Sequence, residues 1–320
     1  MMNRAIKTLG MLLAAIAGGY FIVHAYRSLA GQDLSSLLDA RTFAALCLLT
    51  VLYATSILTT AAAWSRQLKD MGQPHGFPRF LAILASTQFG KYLPGNVGHH
   101  LGRVALAGGS GVRLAAATLS VGYEVLLAIM ASAHISAFVL ILAPPEALQQ
   151  SELFGYKWLL LAVISLGALC GLALAPWLAE HLMRLRDKRS GKPDSKQKLR
   201  LSFATIVFSY LMYISSLSMV GAGLWIMAQG LADGDVAVPH PLFFIGTFSA
   251  SWILGLLAPG APAGLGVREA VLSAWLAQSL PATLVVVLVV ALRIATTAGD
   301  LLNFAWGSAL LVRQNQARKT

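Results

Sequence analysis

Apolar runs of about 20 residues, the length a helix needs to cross a bilayer, recur along the whole chain. Six of them predict full spans, at roughly 8–29, 42–65, 114–143, 157–181, 201–230 and 283–312. Membrane-barrel strands would alternate in polarity over short segments. The run Leu284 to Ala291 does not alternate, so the pattern is helical. Two further apolar stretches, 77–108 and 242–280, are broken in the middle by Pro-Gly clusters. Each predicts a helical hairpin that enters the membrane and returns to the side it came from. The fold class expected is therefore an all-α membrane protein of about six full spans plus two re-entrant hairpins, forming one membrane domain over residues 1–320.

Composition agrees with this reading. Charged residues are 12% and hydrophobic residues 57% of the chain, against about 25% charged in an ordinary soluble domain. A soluble fold of this composition would expose too much apolar surface. The net charge of +11 does not indicate nucleic acid, because the basic residues sit in short segments between apolar runs. The densest basic stretch lies between Arg184 and Arg200, against the acids Asp187 and Asp194. With Arg4, Lys7, Arg313, Arg318 and Lys319 at the ends, it predicts a bacterial inner-membrane protein with both termini cytoplasmic. The opposite loops carry Glu146, Glu152, Asp233 and Asp235. Val23-His24-Ala25 resembles a signal-peptidase site, but the first run is longer than a signal core, so an uncleaved span is expected. Cys47 and Cys170 fall inside apolar runs and read as small hydrophobes.

A shift of 165 residues lays one broken hairpin on the other. Pro74-His75 falls on Pro239-His240, Gly90 on Gly255, Pro94-Gly95 on Pro259-Gly260 and Arg103 on Arg268. The three spans between the copies would turn the second one over. This predicts an inverted repeat, with copies at about 74–143 and 239–312 and a substrate site near the midplane. Backbone freed by Pro and Gly is tolerated at membrane depth only where it is buried in protein or lines a wet cavity. The plainer alternative is that both breaks merely turn a hairpin.

The polar residues gather at the breaks. The first holds Lys91, Asn96, His99, His100 and Arg103, and the second Arg268 and Glu269. A helix starting near Val97 would aim free N–H groups at the break, a setting that suits an anion. Arginine can hold phosphate through two N–H groups at once. Lys91 and Arg103 could instead snorkel to headgroups. Within spans, Glu124, Arg293 and Asp300 are intramembrane charges and candidates for function by default. The structural alternative is an ion pair such as Glu124 with Arg293. His99 and His100, adjacent on a helix, diverge, and no Cys, Asp or Glu nearby completes a metal set, so neither metal nor cofactor is expected. Asp233-Gly234-Asp235 has an Asp-x-Asp form but no domain around it.

The first break, followed by Arg103-Val104-Ala105-Leu106 and later Glu124, resembles the transmembrane region of the lysylphosphatidylglycerol synthase family. So does Pro262-x-Gly264-Leu265-Gly266-Val267-Arg268-Glu269-Ala270. The likeness covers about residues 8–312. It implies movement of lipids between leaflets, in company with the glycosyltransferases of envelope biogenesis. The chain ends at Thr320, so the resemblance is expected to carry the membrane half without lysyl transfer. The function expected is binding and translocation of an anionic lipid headgroup, from a phospholipid or a polyprenyl-phosphate sugar. Lys91, Asn96, His99, His100, Arg103 and Arg268 would bind it, while Glu124, Glu269, Arg293 and Asp300 would balance charge or carry protons. The alternatives are a membrane-embedded glycosyl or acyl transferase, with His99, His100 or Glu124 as base, and an accessory subunit of an envelope-glycan complex.

Overall fold

A computed structural model describes residues 39–92, 97–142, 152–190, 200–232, 236–258 and 261–317. The first predicted span, both Pro-Gly pairs, Asn96 and the Asp233–Asp235 loop lie outside the described residues. The described residues are helical, with no strand among them: α1 (Ala40–Asp70), α2 (Phe77–Ser86), α3 (Gly98–Gly109), α4 (Leu114–Leu142), α5 (Lys157–Ser190), α6 (Phe203–Leu231), α7 (Pro241–Leu257), α8 (Val267–Leu276) and α9 (Ala282–Gln316). Within α1, α4, α5, α6 and α9 lie segments long and apolar enough to cross a membrane.

Local chemistry sets the helix starts. The Asp39 carboxylate accepts from the Thr42 N–H at 2.7 Å and opens α1. That hydrogen bond holds the Asp39 carboxyl below its usual pKa. The Ser202 hydroxyl accepts from the Thr205 N–H at 3.3 Å and opens α6. Pro241 stands at the start of α7, where its missing N–H costs nothing. Helices α1, α5 and α9 outrun the predicted spans at their C-terminal ends. Part of the basic stretch from Arg184 is thereby helical up to Ser190. Lysine and arginine favour helix and complement the negative C-terminal end of the dipole, so the apolar limit does not end the helix.

Each broken stretch is two short helices around an irregular centre. In the first, a 3-10 turn over Gln88–Tyr92 follows α2, and α3 starts at Gly98. In the second, a 3-10 turn over Pro262–Gly264 leads to α8. There Ala263, Gly264 and Gly266 adopt φ of 50°, 70° and 82°. Glycine takes this left-handed region freely, whereas Ala263 costs about 1–2 kcal/mol to hold there. The Glu269 carboxylate accepts from the Gly266 N–H at 2.7 Å and stabilises the start of α8.

The packing is reciprocal. Helix α2, of the first broken pair, lies against α9, the span that follows the second pair. Helix α7, of the second pair, lies against α4, the span that follows the first. Small residues permit both approaches. A Cβ on Gly307 of α9 would meet Ala85 and Ser86 of α2, and one on Gly246 of α7 would meet Val139 of α4. Helices α1 and α6 pack along their length and complete the core. Helix α5 packs mainly on α4 and presents Trp158, Leu159, Val163, Leu166 and Leu169 outward, as expected of a face that meets lipid.

Candidate functional site

A polar stripe runs down one face of α1. Tyr53, Ser56, Thr60, Trp64 and Gln67 recur at three- and four-residue steps, so they share a side of the helix. Ser209, Tyr213 and Ser216 do the same on α6, and Arg293, Thr296, Asp300 and Asn303 on α9. The α1 stripe meets both broken pairs around a cavity of about 210 Å³. Lys91, His99, Arg103, Glu124, Arg268 and Asp300 all line it. These are residues far apart in sequence that the breaks bring together.

Two ion-pair clusters line this space and a third adjoins it. Lys91 Nζ lies 2.7 Å from each carboxylate oxygen of Asp300. The Tyr53 and Tyr92 hydroxyls donate to the same carboxylate at 2.8 and 2.7 Å, and Lys91 also donates to the Tyr53 oxygen at 2.6 Å. Asp300, 1% exposed, thus has its lone pairs filled by three partners. The second cluster is a fork. Arg103 NH1 and NH2 donate to the two oxygens of Glu124 at 2.7 and 2.8 Å. NH2 also donates to His100 Nδ1 at 2.9 Å, which places that ring's proton on Nε2. The Arg103 guanidinium lies over the Trp64 ring at 4.9 Å. The third cluster lies beside the cavity. Arg293 NH2 is 2.7 Å from Glu269, an ionic contact whose N–H is poorly aligned for a hydrogen bond. The alternative pairing of Glu124 with Arg293 is therefore replaced by Arg103–Glu124 and Glu269–Arg293.

Arg268 differs from these. Its aliphatic stem threads between two glycines: a Cβ on Gly264 would lie 2.6 Å from Arg268 Cδ, and one on Gly255 would overlap Cγ. Its guanidinium stands 5.6 Å from the Phe248 ring centre and has no hydrogen bond or ion pair to any described residue. A cation–π contact of this kind contributes about 0.5–2 kcal/mol. Packing of its stem on Gly255 and Gly264 holds the half-buried guanidinium at the cavity wall, where an anion would stabilise it. The cavity wall carries three cations, Lys91, Arg103 and Arg268, against two carboxylates, Glu124 and Asp300, and is one positive charge in excess.

The excess has a structural origin. Glu124 and Arg293 each sit about three turns into the span that follows their broken pair. In the first case the span supplies the acid that meets Arg103; in the second it supplies a base that meets Glu269 and leaves Arg268 alone.

Of the sequence candidates, Lys91, His99, Arg103, Glu124, Arg268 and Asp300 converge on the cavity. His100 supports Arg103 from behind, and Glu269 and Arg293 form the adjacent pair. His99 Nδ1 is buried without a partner, its ring 3.8 Å from that of His100. Asn96 lies outside the described residues. Among the described residues no three His, Cys, Asp or Glu side chains converge as metal ligands. Charge-based reasoning missed Tyr53, Tyr92, Tyr213, Thr60 and Ser216; the polar stripes at helical spacing on α1 and α6 were the signal for most of them.

Two comparisons bear on these observations. No curated protein matches the chain. The family model described as the lysylphosphatidylglycerol synthase TM region matches residues 8–302, which is nearly all of the sequence. The match takes in both broken pairs and each cavity-lining ionic residue, and the chain belongs to the lysylphosphatidylglycerol synthase transmembrane-region family.

Proposed function

We propose that the protein binds the phosphate of an anionic lipid headgroup in the central cavity and carries it across the bacterial inner membrane, with the lipid tail remaining in the bilayer. The observation that carries this reading is the guanidinium of Arg268, which has no ion pair, on the wall of a cavity whose other two cations, Lys91 and Arg103, are ion-paired. A phosphate at Arg268 gains the charge-assisted, two-point geometry that arginine offers. An unpaired charge crossing bare hydrocarbon faces a cost on the order of tens of kcal/mol by Born estimate, and a lined passage removes most of it.

The inverted-repeat reading is supported by the reciprocal packing of α2 on α9 and α7 on α4. It is also supported by the limb crossings. Gly90 approaches Gly98 and His99, while its repeat partner Gly255 approaches Gly264, the residue equivalent to His99. Within this reading Arg268 receives the headgroup from one side and Arg103 on the other. Glu124 fills the fork that a phosphate would take, so the headgroup reaches Arg103 only when that carboxylate is displaced or protonated. The basic stretch from Arg184 and the C-terminal end of α9 would face the cytoplasm.

Native mass spectrometry of lipids that co-purify with the full chain tests the binding step. Anionic phospholipid or polyprenyl-phosphate lipid is expected on the parent and strongly depleted on Arg268→Gln at equal protein recovery. The same anionic lipids bound equally to both proteins would remove Arg268 from the reading.

A further inference from the structure

Glu124 closes the fork of Arg103, and opening that fork has a consequence for what travels with the headgroup. We infer that Glu124 takes up one proton for each headgroup that reaches Arg103, so that the protein carries a proton and a headgroup in the same direction. This inference rests on the translocation reading above and concerns the phosphate alone.

Arg103 is 2% exposed, and Glu124 occupies both of its terminal nitrogens. His100 holds NH2 as well, and the Trp64 ring covers the guanidinium. A phosphate therefore gains a two-point hold on Arg103 only if Glu124 leaves. The Glu124 oxygens have no partner other than Arg103 among the described residues, so the carboxylate then loses both of its hydrogen bonds. Ionised, 12% exposed and without a cation, it is the costly form. The neutral acid has no such cost, and its O–H can donate to a phosphate oxygen. The proton thus turns a competitor for the fork into a partner of the phosphate. It comes from the aqueous compartment that the cavity faces, forms the O–H bond on Glu124, and returns to water when Arg103 re-forms its fork. Proton and headgroup each favour the other by the same factor, and two ligands held together cross together.

The groups around Glu124 point to it as the carrier. Helices α1, α3, α5, α6 and α7 pack against α4. From α3 come Arg103, His100 and His99, and a proton on either ring would stand beside the guanidinium, like charge against like. From α1 and α6 come the neutral Tyr53, Trp64 and Tyr213. Helix α7 carries no ionisable side chain, and α5 turns His181 outward, stacked on Trp177. The rest of the cavity wall holds Lys91, Asp300 and Arg268. Asp300 keeps Lys91, Tyr53 and Tyr92 when the phosphate moves to Arg103, so one proton is taken up and not two. The rival route needs no proton: Glu124 and the phosphate trade arginines. Glu124 would then have to come to Arg268, whose stem is pinned between Gly255 and Gly264.

The test uses the full chain in phosphatidylcholine vesicles with a trace of fluorescent short-chain phosphatidylglycerol, whose only charge is its phosphate. Carried with a proton, this probe crosses as a neutral pair; carried by the trade of arginines, it moves a negative charge. A pH step is imposed with the voltage clamped by potassium and valinomycin, and a voltage is imposed separately at equal pH. The parent is expected to gather the probe in the leaflet facing the alkaline compartment, by about tenfold for each pH unit, and to ignore the voltage. Glu124→Gln, neutral like the acid but unable to exchange a proton, should lose the response to pH and gain one to voltage. The parent's two responses need no variant, so loss of folding in Glu124→Gln does not block the test. In the parent, a response to voltage alone, or to neither force while the probe still moves, would overturn the proton and leave translocation standing. A response to both would overturn the count of one proton. Gathering in the leaflet facing the acid compartment would overturn the shared direction. A full pH response from inserted Glu124→Gln would remove Glu124 as the carrier. No movement above protein-free vesicles would overturn the translocation reading and this inference with it.

Discussion

Lys91 and Asp300 are each other's compensation, so removing one leaves the other buried and unpaired. Such a loss typically costs about 3–5 kcal/mol, more than the net worth of the intact pair. Lys91→Met alone is therefore expected to lower thermal stability sharply in detergent, whereas Lys91→Met with Asp300→Asn should recover much of the loss. Strict additivity of the two changes would contradict the pairing. Gly255 allows a second experiment at this scale, because its Cβ would overlap the Arg268 stem while its own backbone is helical. Gly255→Ala should weaken anionic lipid binding at least tenfold with Arg268 still present, measured as for the parent in nanodiscs. Unchanged affinity would mean that the stem position does not aim the guanidinium. The charged members of the site were legible in the sequence because a charge inside an apolar run is costly and stands out. Their pairing was not, since Arg103–Glu124 and Glu269–Arg293 depend on which face of each helix turns inward. The neutral members escaped notice because a tyrosine or serine in a span is individually cheap. Only their recurrence at helical spacing, as in Tyr53, Ser56 and Thr60, marks a wet face.

Helix boundaries followed from hydropathy wherever the apolar run and the hydrogen-bonded helix ended together, as for α4 and α6. They diverged where basic residues carried a helix past its apolar limit, as in α5. Which helices would touch was not legible, because small residues set it. A Cβ on Gly221 of α6 would run into the Ile245 backbone of α7, whereas one on Gly122 of α4 meets nothing within 4 Å. Both positions are helical, so alanine gains a similar backbone benefit, about 0.5–1 kcal/mol, at each. Overpacking at a tight interface costs about 1–3 kcal/mol. Gly221→Ala should therefore destabilise the purified protein and Gly122→Ala should be neutral or mildly stabilising in thermal unfolding. The reverse order would contradict the packing of α6 on α7.

At the scale of the molecule, the two broken pairs and their following spans exchange partners, and the cavity lies where they meet. The proposed orientation in the bilayer rests on charge alone and has its own test. In a background with Cys47 and Cys170 replaced by Ala, a cysteine at Asn315 should resist an impermeant thiol reagent in intact cells. One at Ala237 should react. Labelling of Asn315→Cys with protection of Ala237→Cys would invert the proposed topology. The central claim is that Arg268 is the charge a moving headgroup meets. The most direct measurement is translocation of a fluorescent short-chain phosphatidylglycerol in proteoliposomes holding equal amounts of inserted parent, Arg268→Lys and Arg268→Gln protein. Movement is expected from the parent, at a reduced rate from the lysine variant, which keeps the charge and loses the fork, and at the protein-free background from the glutamine variant. Parental rates from a folded, inserted Arg268→Gln protein would contradict the account.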